Sequence, residues 1–106
     1  MLATMAAPLP DLFLYGRDGC HLCDETRALL RAILAERATQ GQLVPPLVER
    51  DIAADPAWER SYREIIPVVE LEGRRLELAT SPTRLRALLR DTLDRDNPDA
   101  RAGVAR

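Results

Sequence analysis

The fold of this chain is decided by one stretch near its start, Asp11-Leu12-Phe13-Leu14-Tyr15-Gly16-Arg17-Asp18-Gly19-Cys20-His21-Leu22-Cys23-Asp24-Glu25-Thr26. Its apolar and aromatic opening favours a buried strand over about residues 11–15. Gly16 and Gly19 allow a sharp turn because they lack a Cβ. Apolar residues at helical spacing then predict a helix from about Leu22 to about Thr39. The stretch is therefore typical of a strand, a turn, a Cys-x-x-Cys pair and a helix.

The two cysteines of this stretch are placed for chemistry. Cys20 falls at or just before the N-terminus of the predicted helix, and Cys23 falls one turn inside it. A helix N-terminus presents unpaired N–H groups and positive dipole charge, which stabilise a thiolate. Cys23, three residues later, lies on the same helix face. We therefore predict a dithiol site in which Cys20 attacks a disulfide and Cys23 resolves the mixed disulfide.

The composition limits the classes of function. A chain of 106 residues with 46% apolar and 30% charged residues is expected to form one soluble domain and a monomer. The net charge of -2 gives no reason to expect a nucleic-acid partner. No apolar run is long enough to span a membrane, and residues 1–10 make a poor signal peptide. The expected location is the cytoplasm, where a close cysteine pair indicates redox or metal chemistry.

The rest of the chain completes an α/β pattern. The further elements are predicted as a strand at 47–51, a short helix after Asp55-Pro56, a strand opened by Pro67, an antiparallel strand at 74–78 and a helix from Pro82 to Leu93. Asp55 and Ser81 are good N-caps, each followed by a proline. The order β-α-β-α-β-β-α predicts a four-stranded mixed sheet with helices on both faces. One domain is expected over residues 11–93, with flexible tails at 1–10 and 94–106.

Strand, turn, Cys20-His21-Leu22-Cys23 and helix, followed later by Ile66-Pro67, resemble the thioredoxin fold, and most closely the short glutaredoxin-like proteins. The resemblance covers about residues 11–93. It implies a cis Ile66-Pro67 bond that faces the cysteine pair, with both residues binding an extended substrate. It also implies a thiol-disulfide oxidoreductase in electron transfer and cell redox homeostasis. Its substrate would be a disulfide-containing protein or a glutathione mixed disulfide. No bound cofactor is expected, and glutathione or a thioredoxin-type reductase would supply electrons.

Three further residues are candidates for roles around the cysteine pair. Arg17 is predicted to steer an anionic substrate or to stabilise the thiolate. His21 is a candidate to tune Cys20 as a proton carrier, since its ordinary pKa lies near neutrality. Thr80 can donate a hydrogen bond to a substrate carboxylate at the start of the last helix. For Arg17 and His21 the alternative is a solvent-exposed charge.

The chain also departs from the glutaredoxin pattern, and the departures keep two alternatives open. Well-characterised glutaredoxins have a proline and an aromatic residue between the cysteines and basic residues after them, whereas this chain has His21-Leu22 and Asp24-Glu25. It also lacks their glycine pair before the last helix. One alternative is therefore a binding module that kept the fold without redox turnover. The other is a dimer bridged by a metal or cluster, although structural zinc needs four ligands.

Overall fold

The computed structural model describes residues 8–94, so most of the two predicted tails lies outside the described residues. The elements in chain order are β1 (Leu12–Gly16), α1 (His21–Thr39), β2 (Leu47–Asp51), a 3₁₀ turn (Ile52–Ala54), α2 (Pro56–Tyr62), β3 (Val68–Leu71), β4 (Arg74–Leu76), α3 (Pro82–Leu89) and a π-helical segment (Arg90–Asp94). The predicted order of strands and helices is confirmed. Between residues 8 and 94, no helix has the length and apolar character to cross a bilayer.

The four strands form one mixed sheet in the order β2-β1-β3-β4. β1 runs parallel to β2, with Leu12 opposite Leu47, and antiparallel to β3, with Leu12 opposite Leu71. β4 returns antiparallel to β3 after the turn Glu72-Gly73. The parallel pair is joined through α1, as a crossover connection requires. The predicted four-stranded mixed sheet is therefore correct.

Helices cover both faces of the sheet because side chains alternate along β1. Leu12 and Leu14 point into the larger core, which α1 and α3 close with Leu30, Ile33, Leu85, Leu88 and Leu89. Phe13 and Tyr15 point to the other face. There they pack with Ile52 and Val68 and with two aromatic residues of α2, Trp58 and Tyr62. Side chains of the two cores thus cover both faces of β1, and the strand ends at Gly16.

Three sequence expectations need correction. β4 ends at Leu76 rather than Leu78, because Leu78 adopts a φ of +48° that a strand cannot continue. Leu22 begins the apolar helical spacing that predicts α1, but it is 44% exposed, and the first buried residue of the helix is Cys23. The last helix is α-helical only to Leu89 and continues as the π-helical segment, which still buries Leu93.

Candidate active site at the start of α1

The two cysteines are joined by a disulfide at the N-terminus of α1, with their Cα atoms 5.1 Å apart. Cys20 is the N-cap residue of the helix, and its Sγ accepts a hydrogen bond from the Cys23 N–H at 3.1 Å. Its carbonyl accepts from the Asp24 N–H, also at 3.1 Å. Cys20 is half-buried, whereas Cys23 is fully buried. Of the two cysteines, Cys20 is therefore the more accessible to a reacting molecule.

Gly16 makes room for the second cysteine. A Cβ at Gly16 would lie 2.9 Å from Cys23 Sγ and 3.1 Å from Cys23 Cβ, which is closer than side-chain atoms pack. Sequence reasoning assigned Gly16 to a sharp turn, but its structural reason is space. Gly19, with a φ of +79°, is the glycine that uses the left-handed conformation in this loop.

The Ile66-Pro67 bond is cis, as the resemblance implied. The flanking carbonyls are both bonded to the segment after β4: Ile65 O accepts from Leu78 N–H at 2.9 Å, and Pro67 O accepts from Ala79 N–H at 2.8 Å. Within residues 8–94, by contrast, no backbone hydrogen bond involves the N–H or C=O of Ile66. Both polar groups of Ile66 are therefore free to bond another chain.

We call residues 65–67 the proline corner. A buried side chain connects the proline corner to α1. Thr26, one turn after Leu22, is fully buried and donates from its Oγ1 to Ala79 O at 2.8 Å. Since Ala79 N–H in turn bonds Pro67 O, two hydrogen bonds link the second turn of α1 to Pro67. The helix that begins at the cysteine pair is thus tied to the segment that contains the cis-proline.

The other predicted site residues lie at the rim. Arg17 binds Glu59 of α2 through both carboxylate oxygens, at 2.9 and 2.8 Å. His21 is 84% exposed in its side chain, and its Nε2 lies 2.9 Å from Glu25 Oε2 on the same helix. Thr80 is exposed, and its N–H donates to Leu78 O. Of these three, only Thr80 adjoins the segment that bonds the proline corner.

A polar cavity of about 190 Å³ lies beside Cys23. Its walls are formed by Leu14, Gly16, Arg17, Asp18, Cys23, Arg27, Glu49, Arg50 and Asp51. Arg27 bonds Asp24 at 2.8 Å and Glu49 at 2.6 Å, and these hydrogen bonds raise the pKa of Arg27. The volume and polar lining are sufficient for several water molecules. Sequence reasoning missed this cavity because the walls from β1 and α1 are completed by β2, which lies beyond α1 in the chain.

The proline corner rests on the smaller, aromatic core. Ile66 packs at the edge of the cluster around Tyr15. The Arg50 guanidinium lies 3.9 Å from the centre of the Phe13 ring and 5.1 Å from that of Trp58, and it donates to the Tyr15 hydroxyl at 3.0 Å. Burial raises the pKa of Tyr15. The aromatic rings and Arg50 thus form the surface against which Ile66 packs.

The positions of metal-ligating side chains bear on the alternative of a metal-bridged dimer. Between residues 8 and 94, no three side chains of His, Cys, Asp or Glu lie close enough together to hold a metal ion. Within this described part of the chain, the cysteine pair therefore lacks further protein ligands. A bridged metal would need ligands from outside residues 8–94.

Comparison with known proteins agrees with this geometry. Residues 11–95 match the family model described as Glutaredoxin-like domain (DUF836). The X-ray structure of the structural-genomics target protein XcR50 from X. campestris is 34% identical, with a TM-score of 0.58 over 74% of this chain and 93% of that chain. The solution NMR structure of protein Ne2328 from Nitrosomonas europaea is 26% identical, with a TM-score of 0.61 over 78% of this chain and 94% of that one. No curated protein matches the chain in sequence.

The family match spans the sheet, the cysteine pair, the cis-proline and α3. A mixed four-stranded sheet with three helices and a Cys pair at a helix start is consistent with a thioredoxin-like fold. The chain belongs to the glutaredoxin-like domain family.

Proposed function

We propose that the protein is a thiol-disulfide oxidoreductase that transfers two electrons through Cys20 and Cys23. The observation that carries the proposal is the N-cap position of Cys20, a half-buried residue whose Sγ accepts the Cys23 N–H at 3.1 Å. A backbone donor and a helix N-terminus both favour the thiolate, which is the reactive form of a cysteine. Cys23 then stands within bonding distance, as the disulfide itself requires.

The reaction proceeds by two thiol-disulfide exchanges. The Cys20 thiolate attacks one sulfur of the substrate disulfide, whose S–S bond breaks, and the departing thiolate takes a proton from water. The Cys23 thiolate then attacks Cys20 Sγ in the mixed disulfide and releases the second substrate thiol. In sum, two protein thiols are oxidised to a disulfide and one substrate disulfide is reduced to two thiols. A thiol donor, either glutathione or the dithiol of a thioredoxin-type reductase, restores the reduced protein.

The residues around the pair have supporting roles in this proposal. The free N–H and C=O of Ile66 pair with the substrate backbone, which adds to the site like a strand, and Pro67 holds them in place. Thr80 offers an exposed hydroxyl beside them. Arg17 reaches an anionic substrate only by leaving Glu59, so we assign it a weaker contact. The polar cavity beside Cys23 gives the proton of that buried thiol a path to solvent.

We place this activity in the cytoplasm, in a monomer without a bound cofactor, as part of redox homeostasis. Support comes from the cysteine content, since a chain with two cysteines in one Cys-x-x-Cys pair suits a reducing compartment where dithiols turn over.

A binding module without redox turnover is the second candidate. It is favoured by two exposed carboxylates near the start of α1, Asp24 in the first turn and Glu25 directly after it, because negative charge near Cys20 opposes the thiolate.

The two candidates are distinguished by the thiol pKa of Cys20 and by disulfide reduction. We expect the reduced protein to reduce a simple disulfide, and its Cys20 to be alkylated with a pKa below the free value of about 8.5. Cys20→Ser should lose all activity. Cys23→Ser serves as the matched control, because it should keep the first exchange and accumulate the mixed disulfide on Cys20. If the pKa of the Cys20 thiol were at or above the free value and the wild type failed to reduce the disulfide, the binding module would be the supported function.

A further inference from the structure

Two leucines with exposed side chains flank the site, Leu22 between the cysteines and Leu78 after β4. They are 44% and 53% exposed. Thr26, one turn after Leu22, bonds Ala79 O, so this face of α1 is turned toward the segment that contains Leu78. Leu78 N–H bonds Ile65 O, directly before the free backbone of Ile66. We call Leu22 and Leu78 the leucine rim of the site.

The conformation of Leu78 indicates a contact outside the chain. Its φ of +48° is uncommon for a bulky residue, and asparagine or glycine adopts it more easily. Its N–H bonds Ile65 O and its C=O accepts from Thr80 N–H at 2.8 Å, so the backbone is held on both sides. The other non-glycine residue with positive φ between residues 8 and 94, Glu72, belongs to the hairpin turn, where such angles are ordinary. Because Leu78 is exposed and its backbone conformation is unfavourable for a leucine, it contributes little to the free energy of folding.

The charge around the rim is acidic on the side of α1. The segment 17–27 carries three carboxylates, Asp18, Asp24 and Glu25, against two arginines. Arg17 is bound by Glu59, and Arg27 is shared between Asp24 and Glu49, so an acidic excess remains. On the far side of Leu78, a groove lined by two acidic and two basic side chains carries no net charge: Glu70, Glu77, Arg75 and Arg84. A cationic partner is therefore favoured over glutathione, whose two carboxylates and one ammonium give it a negative net charge.

We propose that the substrate is an extended segment of a protein disulfide, with apolar residues beside its cysteine and a lysine or arginine next to them. The inference rests on the proposed function and names its substrate class. The segment bonds the backbone of Ile66 as an added strand. Its apolar side chains cover the leucine rim, and its basic residue faces Asp24 and Glu25. The exchange itself is the one written above: the substrate S–S bond breaks and its sulfur bonds Cys20.

The test compares mixed disulfides that share one leaving group, 5-thio-2-nitrobenzoate, whose release is followed by absorbance. The partners are a peptide with leucines beside its cysteine and a lysine next to them, the same peptide with serines for leucines, the same with glutamate for lysine, glutathione, and mercaptoethanol as a probe of thiol reactivity alone. We expect the leucine-lysine peptide to react about fivefold faster than each altered peptide, and faster than glutathione.

Leu78→Asn separates binding from folding, because asparagine tolerates positive φ but removes the apolar side chain. We expect the rate with the leucine-lysine peptide, divided by the rate with mercaptoethanol, to fall about fivefold. The unfolding midpoint should be no lower than that of the wild type, which a merely structural leucine would not allow. Leu43→Ala is the control, because Leu43 is 48% exposed and lies outside the site. It should keep the wild-type ratio.

Glu25→Gln tests the charge. It should lower the preference for lysine over glutamate about twofold, whereas Asp91→Asn, at an exposed carboxylate on the π-helical segment, should not change it. Equal rates for all peptides, a preference for glutathione, or an unchanged ratio in Leu78→Asn would overturn the inference alone. Failure of the wild type to react even with mercaptoethanol's mixed disulfide would overturn the proposed function and this inference with it.

Discussion

At the scale of single residues, Gly16 shows how closely the site is packed. Replacing Gly16 with alanine puts a Cβ 2.9 Å from Cys23 Sγ, so the end of β1 or the start of α1 must move. We expect Gly16→Ala to lower the free energy of unfolding of the oxidised protein by about 1–3 kcal/mol, the usual cost of overpacking. Urea denaturation of the oxidised protein measures this change.

Gly41→Ala is a useful comparison for that experiment. Gly41 has a φ of +72° but open space around it, so alanine there meets only backbone strain, which costs about 1 kcal/mol. If Gly16→Ala proved as stable as the wild type, space for Cys23 would not be the reason for glycine at this position.

Single residues also mark the limit of what the sequence reveals. The cysteine pair and Pro67 could be identified because their pattern along the chain is distinctive. The space that Gly16 provides and the left-handed Leu78 could not, since each depends on a neighbour in another element. A leucine that continues an alternating pattern predicts a continuing strand, whereas its positive φ and its hydrogen bond to Ile65 O show that the strand has ended.

At the scale of elements, Thr26 couples α1 to the segment before α3. Its buried Oγ1 donates to Ala79 O at 2.8 Å, and valine has the same shape without the hydroxyl. We expect Thr26→Val to lower the free energy of unfolding by about 1–3 kcal/mol, because Ala79 O then lacks this donor in a buried environment. Thr39→Val is the matched control, since the Thr39 hydroxyl is exposed and bonds Ala35 O in its own helix. A loss of similar size in both variants would contradict the assigned coupling.

The caps of the elements were the most predictable part of the fold. Asp55 accepts from Ala57 N–H at 2.8 Å and Ser81 accepts from Arg84 N–H at 3.2 Å, so both predicted N-caps are confirmed. Capping is a local interaction within a few residues, which is why it can be seen in sequence. The end of β4 and the exposure of Leu22 depend on how elements meet. The predicted β4 was therefore two residues too long, and the apolar spacing of α1 did not indicate that Leu22 is exposed.

At the scale of the whole molecule, the composition gives an unusually simple alkaline titration. The sequence contains no lysine and only two tyrosines, and the cysteines of the oxidised protein do not titrate. Burial raises the pKa of Tyr15, so above the ordinary value of about 10 the unfolded state loses this proton before the folded state does. The unfolded state then binds fewer protons, and stability must fall as the pH rises.

We therefore expect the free energy of unfolding of the oxidised protein to be steady just below that value and to decline above it. In Tyr15→Phe the decline should be smaller, although the variant also loses its hydrogen bond from Arg50. Tyr62→Phe, which removes the other tyrosine hydroxyl from the same core, is the control. Equal slopes in Tyr15→Phe and the wild type, from chemical denaturation at a series of pH values, would rule out Tyr15 as the cause.

The N-cap hydrogen bond of Cys20 has a consequence for the rate of the proposed thiol-disulfide exchange. The N–H that reaches Cys20 Sγ belongs to the backbone of Cys23, whose position is fixed by the helix rather than by a mobile side chain. The same donor is therefore already in place for a thiolate when the pair is reduced. In the proposed reaction, the protein atoms around Cys20 therefore need to move little when the disulfide forms or is reduced. Under the proposed function, we therefore expect turnover to be limited by substrate binding and product release rather than by the exchange step.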